Sequence, residues 1–379
     1  MFKSILAASL TLILMATECK PEKIDPENPD NPETPTVVDE EYKDGRVCIA
    51  YAPYYRSQLP APEYVTNICY CFAEVYVSGG VYKGFKLQGN NNEEMFRKVV
   101  ALKTENPAIK ISLSFTNSVE NSDNVVDGGF SAIVASDEYR KQFAKDCLDF
   151  INKWRIDGID LDWEFPGMTW STNAFDATRD VDNFTLLVKQ LRETLDSKYL
   201  LTFASYIMDK SPTEGGYRFI DLKAVEPYVD FINIMTYDMD AEDFQNAINK
   251  PSACWDIERT RQVFVNAGIP YGKMVLGIPF YLRHSFDTNP MAIDYDKIAE
   301  LRTDKNYNFD NWDSTAQCPY ATYKGKFYGS YDNPESIAIK GRRYIGGFGF
   351  KGLMYWDAGA DDDKYTLARA CWNATMKEY

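Results

Sequence analysis

Apolar and polar positions fall into two alternating patterns along most of the chain. Short apolar runs begin at Arg46 ("RVCIAYAP"), Val65 ("VTNICYCFAEV"), Lys110 ("KISLSF") and Ile156 ("IDGIDLDWEF"). Four more begin at Tyr199 ("YLLTFASY"), Val229 ("VDFINIMTYD"), Lys273 ("KMVLGIPFY") and Phe350 ("FKGLMYWDAG"). These eight runs predict strands. Between most of them apolar residues recur at helical spacing. Phe143, Cys147, Ile151 and Trp154 repeat at four, four and three, with Ser136 as N-cap and Asp137 and Glu138 in the first turn. Phe184, Leu187, Val188, Leu191 and Leu195 form a second amphipathic face, and Met95, Val99 and Leu102 a third. Asn333 and Pro334 mark an N-cap and first helical position, and Leu367, Ala368 and Cys371 line a C-terminal helix.

Strands alternating with helices pair in parallel. Eight such units in residues 45–379 predict an α/β fold, a (β/α)8 TIM barrel. The rival, an open doubly wound sheet, often carries a glycine-rich phosphate loop after its first strand, and none is present. One connection is long. Residues 283–333 lie between the seventh strand and its helix and carry "YNFDNW" and "YATYKGKFYGSY". This predicts a small insertion over the C-terminal mouth of the barrel.

The first 44 residues follow neither pattern. Lys3 precedes an apolar run from Ile5 to Met15, too short to span a bilayer and suited to a signal-peptide core, so residues 1–18 are expected to be removed. The following "ATECK" resembles a bacterial lipoprotein signal, with Cys19 as the lipid-bearing residue; Glu18 stands where a small residue is usual. Residues 19–44 hold five prolines and many acids among few apolar residues, so they predict an extended tether. The expectation is an exported protein held on a bacterial membrane or cell surface through Cys19, with plain secretion as the alternative.

Composition narrows the chemistry. Formal charge is −15, a surface that repels phosphate backbones, so nucleic acid is not an expected partner. The single histidine, His284, excludes multi-histidine zinc sites and leaves Ser-His-Asp or Cys-His chemistry only if that residue supplies the base. Of eight cysteines, Cys48, Cys69 and Cys71 lie in strand-like runs and Cys147 on an apolar helix face, the pattern of free buried thiols rather than a disulfide framework.

Acid–base work therefore falls mainly to carboxylates, and "DGIDLDWEFP" from Asp157 concentrates them. In a strand, Ile159, Leu161 and Trp163 point toward the helices while Asp160, Asp162 and Glu164 point into the barrel. Carboxylates at alternate positions are about 6–7 Å apart. In a partly desolvated place they do not all ionise, so at least one pKa rises and leaves a protonated acid near neutral pH. Glu164, last in the row, sits at the C-terminal mouth, where barrel active sites lie. A purely structural role would need inward Arg or Lys partners, and the eight runs place few. Asp157 precedes the inward row and reads as a turn or strand-start residue.

The same stretch resembles the DGxDxDxE signature of glycoside hydrolase family 18, the chitinases and related endo-N-acetylglucosaminidases. "MTYD" (Met235 to Asp238) is similar to the family's sixth-strand MxYD, and "GIPFYLR" (Gly277 to Arg283) to its seventh-strand GxPxYGR. "YDNPESI" and "GLMYWDAGAD" resemble the approach to the last strand, with Trp356 at the position of the tryptophan that floors the sugar site. Tyr51 matches a first-strand tyrosine. The resemblance spans Arg46 to Trp372. Two departures stand out: Ser114 is followed by Phe115, Thr116 and Asn117 where SxGG is usual, and Leu282 replaces the glycine before Arg283.

The resemblance implies a retaining mechanism without an enzyme nucleophile. Glu164 is the acid, and the substrate's 2-acetamido group attacks the anomeric carbon. Asp162 holds the acetamide N–H with Asp160 behind it, and Tyr237 donates to the acetamide oxygen. Tyr51, Met235, Asp238, Arg283 and Trp356 bind the sugar. No metal or organic cofactor is expected. The expected partner is an N-acetylglucosamine-containing glycan and the expected state a monomer. The implied activity is cleavage of β-1,4-linked N-acetylglucosamine chains. The alternatives are an endo-β-N-acetylglucosaminidase acting on N-glycan cores, or a non-catalytic glycan-binding lipoprotein.

Overall fold

The eight apolar runs become eight parallel strands that close on themselves. A computed structural model describes residues 45–89, 92–117, 129–168, 174–215, 219–241, 243–250 and 255–379. The expected signal peptide (1–18), the tether (19–44) and Cys19 lie outside the described residues. In chain order the strands are β1 (Val47–Pro53), β2 (Asn67–Ser78), β3 (Val81–Leu87), β4 (Lys110–Thr116), β5 (Gly158–Asp162), β6 (Leu200–Ser205), β7 (Phe231–Ile234), β8 (Met274–Pro279), β9 (Tyr281–Arg283), β10 (Ala292–Asp294), β11 (Tyr307–Asp313), β12 (Cys318–Tyr323), β13 (Lys326–Ser330) and β14 (Gly352–Trp356). The barrel order is β1-β2-β4-β5-β6-β7-β8-β14, and β14 returns to pair with β1. Every one of these pairings is parallel. This is the (β/α)8 barrel the alternation predicts. β3 lies outside it, an antiparallel return from β2.

The helices are α1 (Asn92–Ala101), α2 (Gly129–Ala135), α3 (Asp137–Trp154), α4 (Asp180–Leu195), α5 (Leu222–Val225), α6 (Ile257–Asn266), α7 (Tyr295–Leu301), α8 (Pro334–Lys340) and α9 (Thr366–Met376). Their starts follow from local chemistry. Ser136 accepts from the Tyr139 N–H to cap α3, and Asn333 accepts from the Ser336 N–H to cap α8, with Pro334 at its first position. Asp361 accepts from the Leu367 and Ala368 N–H groups, and Asp362 from that of Thr366, so carboxylates occupy the N-terminus of α9. Tertiary burial then fixes the helices. Phe184, Leu187, Val188, Leu191 and Leu195 of α4 are all buried. Each contributes about 1.5–3 kcal/mol, well above the roughly 0.7 kcal/mol that a poor helix former such as Val or Phe costs.

The long connection after β8 is a second sheet, antiparallel, in the order β10-β9-β13-β12-β11, with α7 packed on it. Its small core is Leu282, Ile298, Phe309, Ala321 and Tyr331. Leu282 therefore has a clear role where the family pattern has glycine: it anchors β9. Room for it comes from Gly329 opposite, where a Cβ would approach Leu282 Cδ2 to 2.7 Å and the Arg283 carbonyl oxygen to 2.2 Å. Cys48, Cys69, Cys71, Cys147, Cys318 and Cys371 are free and buried, as the sequence pattern suggests. No described helix is long and apolar enough to cross a membrane.

Candidate active site

The acidic run on β5 separates into two faces. Ile159, Leu161 and Trp163 are buried against the helices; the Trp163 ring stacks on Phe130 at 5.2 Å and meets Phe184 edge-on at 6.0 Å. Asp160 faces the barrel interior, where side chains from four other strands donate to it. Tyr51 OH and Ser114 Oγ reach its Oδ2 at 3.1 and 2.7 Å, and Thr202 Oγ1 and Asn233 Nδ2 reach its Oδ1 at 2.6 and 3.2 Å. Asn233 also donates to Tyr51 OH at 2.9 Å. Burial raises the Asp160 pKa, and these four hydrogen bonds act in the opposite direction. Among the described residues no Lys or Arg pairs with Asp160 or Asp162.

Asp162 is the next inward residue and only 6% exposed. Its pKa is pushed well above the ordinary carboxylate range, first by burial, then by the charges of Glu164 and Asp160 and by a hydrogen bond with Glu164. Its Oδ1 has no hydrogen-bond partner among the described residues. The strand ends here. Glu164 lies beyond it, so the expected third rung is a loop residue instead. Strand alternation does not set its direction. Its N–H donates to Asn117 Oδ1 at 3.3 Å, which gives a contact to one of the two residues standing in place of the SxGG glycines. Three non-proline peptides are cis: Cys71–Phe72, inside β2 where its register against β4 shifts, and Glu164–Phe165 and Trp356–Asp357, past the ends of β5 and β14. Asp157 sits at the opposite end of β5, accepting from the Ile111 N–H and pairing with Lys103.

Tyr237 follows β7 and is buried. Its phenol is pushed upward by burial and then by the charges of Asp162 and Glu164. Gly277 on β8 makes space for its ring: a Cβ there would come within 2.8 Å of Tyr237 Cε1 and 2.5 Å of the Ile234 carbonyl oxygen. Asp238 adopts a left-handed backbone, φ 55°. Its carboxylate takes Arg283 Nε and Nη2 at 2.7 Å each and Tyr281 OH at 2.8 Å. Its carbonyl accepts from Tyr206 OH at 2.9 Å, and its N–H donates to Gln245 Oε1 at 3.2 Å. Trp356, at the end of β14, stacks on Phe72 at 5.8 Å and lies 6.0 Å from the Tyr51 ring. Met235 is buried past β7 with its N–H bonded to the Ser205 carbonyl.

The structure thus brings Tyr51, Asp160, Asp162, Glu164 and Tyr237 together, joins Asp238 to Arg283, and sets Trp356 beside Tyr51. Sequence reasoning missed Thr202, Asn233, Tyr281 and Gln245. Thr202 and Asn233 are polar residues at inward positions of otherwise apolar strands, so alternation carried their signal. Gln245 sits in a loop without periodicity and carried none. His284 lies beyond β9, stacked on Tyr328 at 4.6 Å, and burial lowers its pKa. No group of three or more His, Cys, Asp or Glu among the described residues can hold a metal ion.

Comparison with known proteins assigns the architecture. The sequence pattern of "Glycosyl hydrolases family 18" matches residues 41–361. The chain is 30% identical over 278 residues to chitinase A1 of Niallia circulans, covering 62% of this chain and 39% of that protein. It is 27% identical over 349 residues to chitinase 1 of Aphanocladium album, covering 80% and 77%. The chain thus spans well under half of the Niallia protein and about three quarters of the Aphanocladium one. Among solved structures, a family 18 N-acetylglucosaminidase from Paenibacillus barengoltzii superposes with a TM-score of 0.70 at 24% identity, over 87% of this chain and 99% of that one. A chitinase from Rhizomucor miehei superposes with a TM-score of 0.72 at 22% identity, over 87% and 100%. Those two likenesses show the fold. The match over residues 41–361, on a closed barrel with this carboxylate row, makes the chain a member of glycoside hydrolase family 18.

Proposed function

We propose that the chain is a retaining glycoside hydrolase that cleaves β-1,4-linked N-acetylglucosamine, in chitin or chito-oligosaccharides, by substrate-assisted catalysis. One observation carries the reading: Asp162 is a buried carboxyl pushed far upward, hydrogen-bonded to Glu164, with one oxygen left unpartnered. A buried polar atom without a partner calls for a reason. An acetamide N–H supplies one. When that N–H arrives, Asp162 gains by being an anion, and its proton passes along the hydrogen bond to Glu164. The same event arms Glu164 as the acid and Asp162 as the acceptor.

Glu164 then protonates the glycosidic oxygen while the acetamide carbonyl oxygen attacks the anomeric carbon. The leaving sugar departs with the proton, and an oxazolinium ion remains, its charge faced by Asp162. Water attacks the anomeric carbon, Glu164 takes its proton, and the acetamide is regenerated with retained configuration. Asp160 stands behind Asp162 and sets its protonation. Tyr237 donates to the acetamide oxygen and orients it. Asp238, Arg283, Tyr51, Met235 and Trp356 hold the sugar. The chitinase names of the Niallia and Aphanocladium relatives support the substrate class.

The test is product analysis of wild type and Glu164→Gln on chito-oligosaccharides and on high-mannose glycopeptides. Wild type is expected to cut the former with retention, and Glu164→Gln to bind them without cutting. Cleavage of the glycopeptides alone would redirect the substrate to N-glycan cores. No cleavage of either would leave only a binding protein.

For the N-terminus, the proposal is export by residues 1–18 and tethering through lipidated Cys19 and the 19–44 spacer, with the enzyme acting as a monomer. Lys3, the apolar run from Ile5 to Met15 and "ATECK" support it. The mass of the mature N-terminal peptide tests it: an unmodified terminus would leave secretion.

A further inference from the structure

Asp238 is held at every polar group it has, and three of the four holds come from residues near the ladder or on β9. The fourth, on its N–H, comes from Gln245 in the loop after β7. Gln245 is fully buried, and its amide is used at both ends. Oε1 accepts from the Asp238 N–H, while Nε2 donates to the Tyr281 and Ser330 carbonyls at 3.0 Å each. The Gln245 main chain is engaged as well: its N–H donates to Ser330 Oγ at 2.9 Å and its carbonyl accepts from the Met239 N–H at 3.2 Å.

The placement matters because Tyr281 and Arg283 are the two residues of β9 that hold the Asp238 carboxylate. They are two apart on one strand, so they share a face. β9 joins β13 through a single residue pair, Ser330 with Arg283. The Gln245 amide reinforces that junction and ties it to the Asp238 main chain. One side chain thereby sets the spacing between both halves of the Asp238–Arg283 pair, one half on the barrel and the other on the inserted sheet. Asn246 extends the tie, donating to the Tyr331 carbonyl and to Asp332 Oδ2.

We infer that Gln245 is a positioning residue for substrate binding: it registers the inserted sheet against the barrel so that Asp238 and Arg283 face the sugar together. The inference rests on the proposed role of Asp238 and Arg283 in holding the sugar. It assigns no contact between Gln245 and substrate. For Gln245→Ala the expected signature is a rise in KM with the pH limbs of kcat/KM unmoved, because the ladder of Asp160, Asp162 and Glu164 is untouched and Arg283 keeps its own two bonds to Asp238.

Two variants test it. Gln245→Ala removes every side-chain bond, and KM for chito-oligosaccharides should rise about tenfold in protein whose near-ultraviolet spectrum remains native. Gln245→Glu keeps an acceptor for the Asp238 N–H but turns a carboxylate toward two carbonyl oxygens. Its KM deficit should be large at neutral pH and shrink on acidification, when the protonated acid again offers one donor. Dissociation constants for the same oligosaccharides, measured in a Glu164→Gln background, should follow the KM changes. A change of less than about twofold in both variants, even with a lowered thermal midpoint, overturns the inference and leaves Gln245 a structural residue. Should Gln245→Ala fail to fold, the acid recovery of Gln245→Glu decides alone. If Glu164→Gln itself binds no chito-oligosaccharide, the proposed function fails first and this inference falls with it.

Discussion

Thr202→Val isolates the hydrogen bonds that hold Asp160. The substitution nearly preserves shape and deletes one hydroxyl, whose Oγ1 lies 2.6 Å from Asp160 Oδ1. That length is in the range of a strong bond to an anion. A hydrogen bond to a charged group contributes about 1.5–3 kcal/mol, and Asp160 is fully buried, so water does not replace the lost donor. The expected loss is a roughly 10- to 150-fold increase in the unfolding constant at neutral pH.

Its pH dependence has a definite sign. Burial already raises the Asp160 pKa, and loss of a donor to the anion raises it further. A folded-state pKa above the unfolded value of about 3.9 means that the folded chain binds the proton more tightly. Stability from this group is then complete below the unfolded pKa and declines as pH rises through the folded one. The deficit of Thr202→Val relative to wild type should therefore be small near pH 4 and full at pH 8. Urea midpoints at the two pH values measure it. Activity gives a second reading, because an Asp160 that protonates more readily shifts the acid limb of kcat/KM to higher pH. Equal deficits at both pH values together with an unmoved acid limb would refute the argument that Asp160 is an anion held by neutral donors.

Other expectations follow from the same geometry. Oligosaccharides with a free amine in place of the acetamide at the cleaved unit should be turned over poorly, and equal steady-state rates on both would rule out substrate assistance. Gly277→Ala would drive a methyl toward Tyr237 Cε1 and the Ile234 carbonyl; kcat should fall by about 100-fold with a smaller change in KM, as steady-state kinetics will report. Lys340→Met breaks the buried pair with Asp332, whose two oxygens lie 2.8 and 2.7 Å from Nζ. An uncompensated buried carboxylate costs about 3–5 kcal/mol, so denaturant unfolding should show a loss of that size.

The parts legible in the sequence are those governed by period. All eight barrel strands were readable as apolar runs, because parallel strands buried on both faces read that way. Within "IDLDW" the two-residue alternation put Asp160 inside and Trp163 outside, as the Trp163–Phe130 stack shows. Caps at Ser136 and Asn333 were readable because short polar side chains there bond the next turn. β3 was missed, though Gly79–Gly80 between two strand-like segments is a hairpin signal. The inserted sheet was readable only as a long aromatic connection. Its strands are short and aromatic residues occupy both faces, Phe309 inward and Trp312 outward on β11, so alternation is blurred. Glu164 past the strand end, the φ of Asp238 and the reach of Gln245 depend on loop conformation, which no local period encodes.

On the proposed mechanism, the placement of cations explains how the ladder could store an acid proton. Asp160 is satisfied by two hydroxyls, a phenol and an amide, all neutral. Such donors orient the carboxylate without cancelling its charge at longer range, so Asp162 still feels it, together with that of Glu164. An arginine in place of Asn233 would satisfy Asp160 equally well, but it would draw the Asp162 pKa down and leave no proton to hand to Glu164. The guanidiniums near the site are already committed. Arg283 is bound by both oxygens of Asp238, and Arg56 is shared between Asp294 and Asp357 beside Trp356. The Asp238–Arg283 pair therefore does two things. Under the proposed function it would offer fixed polar groups to a sugar, and it keeps the Arg283 charge committed to Asp238 rather than to the ladder. Releasing Arg283 from Asp238 should damage proton storage as well as binding.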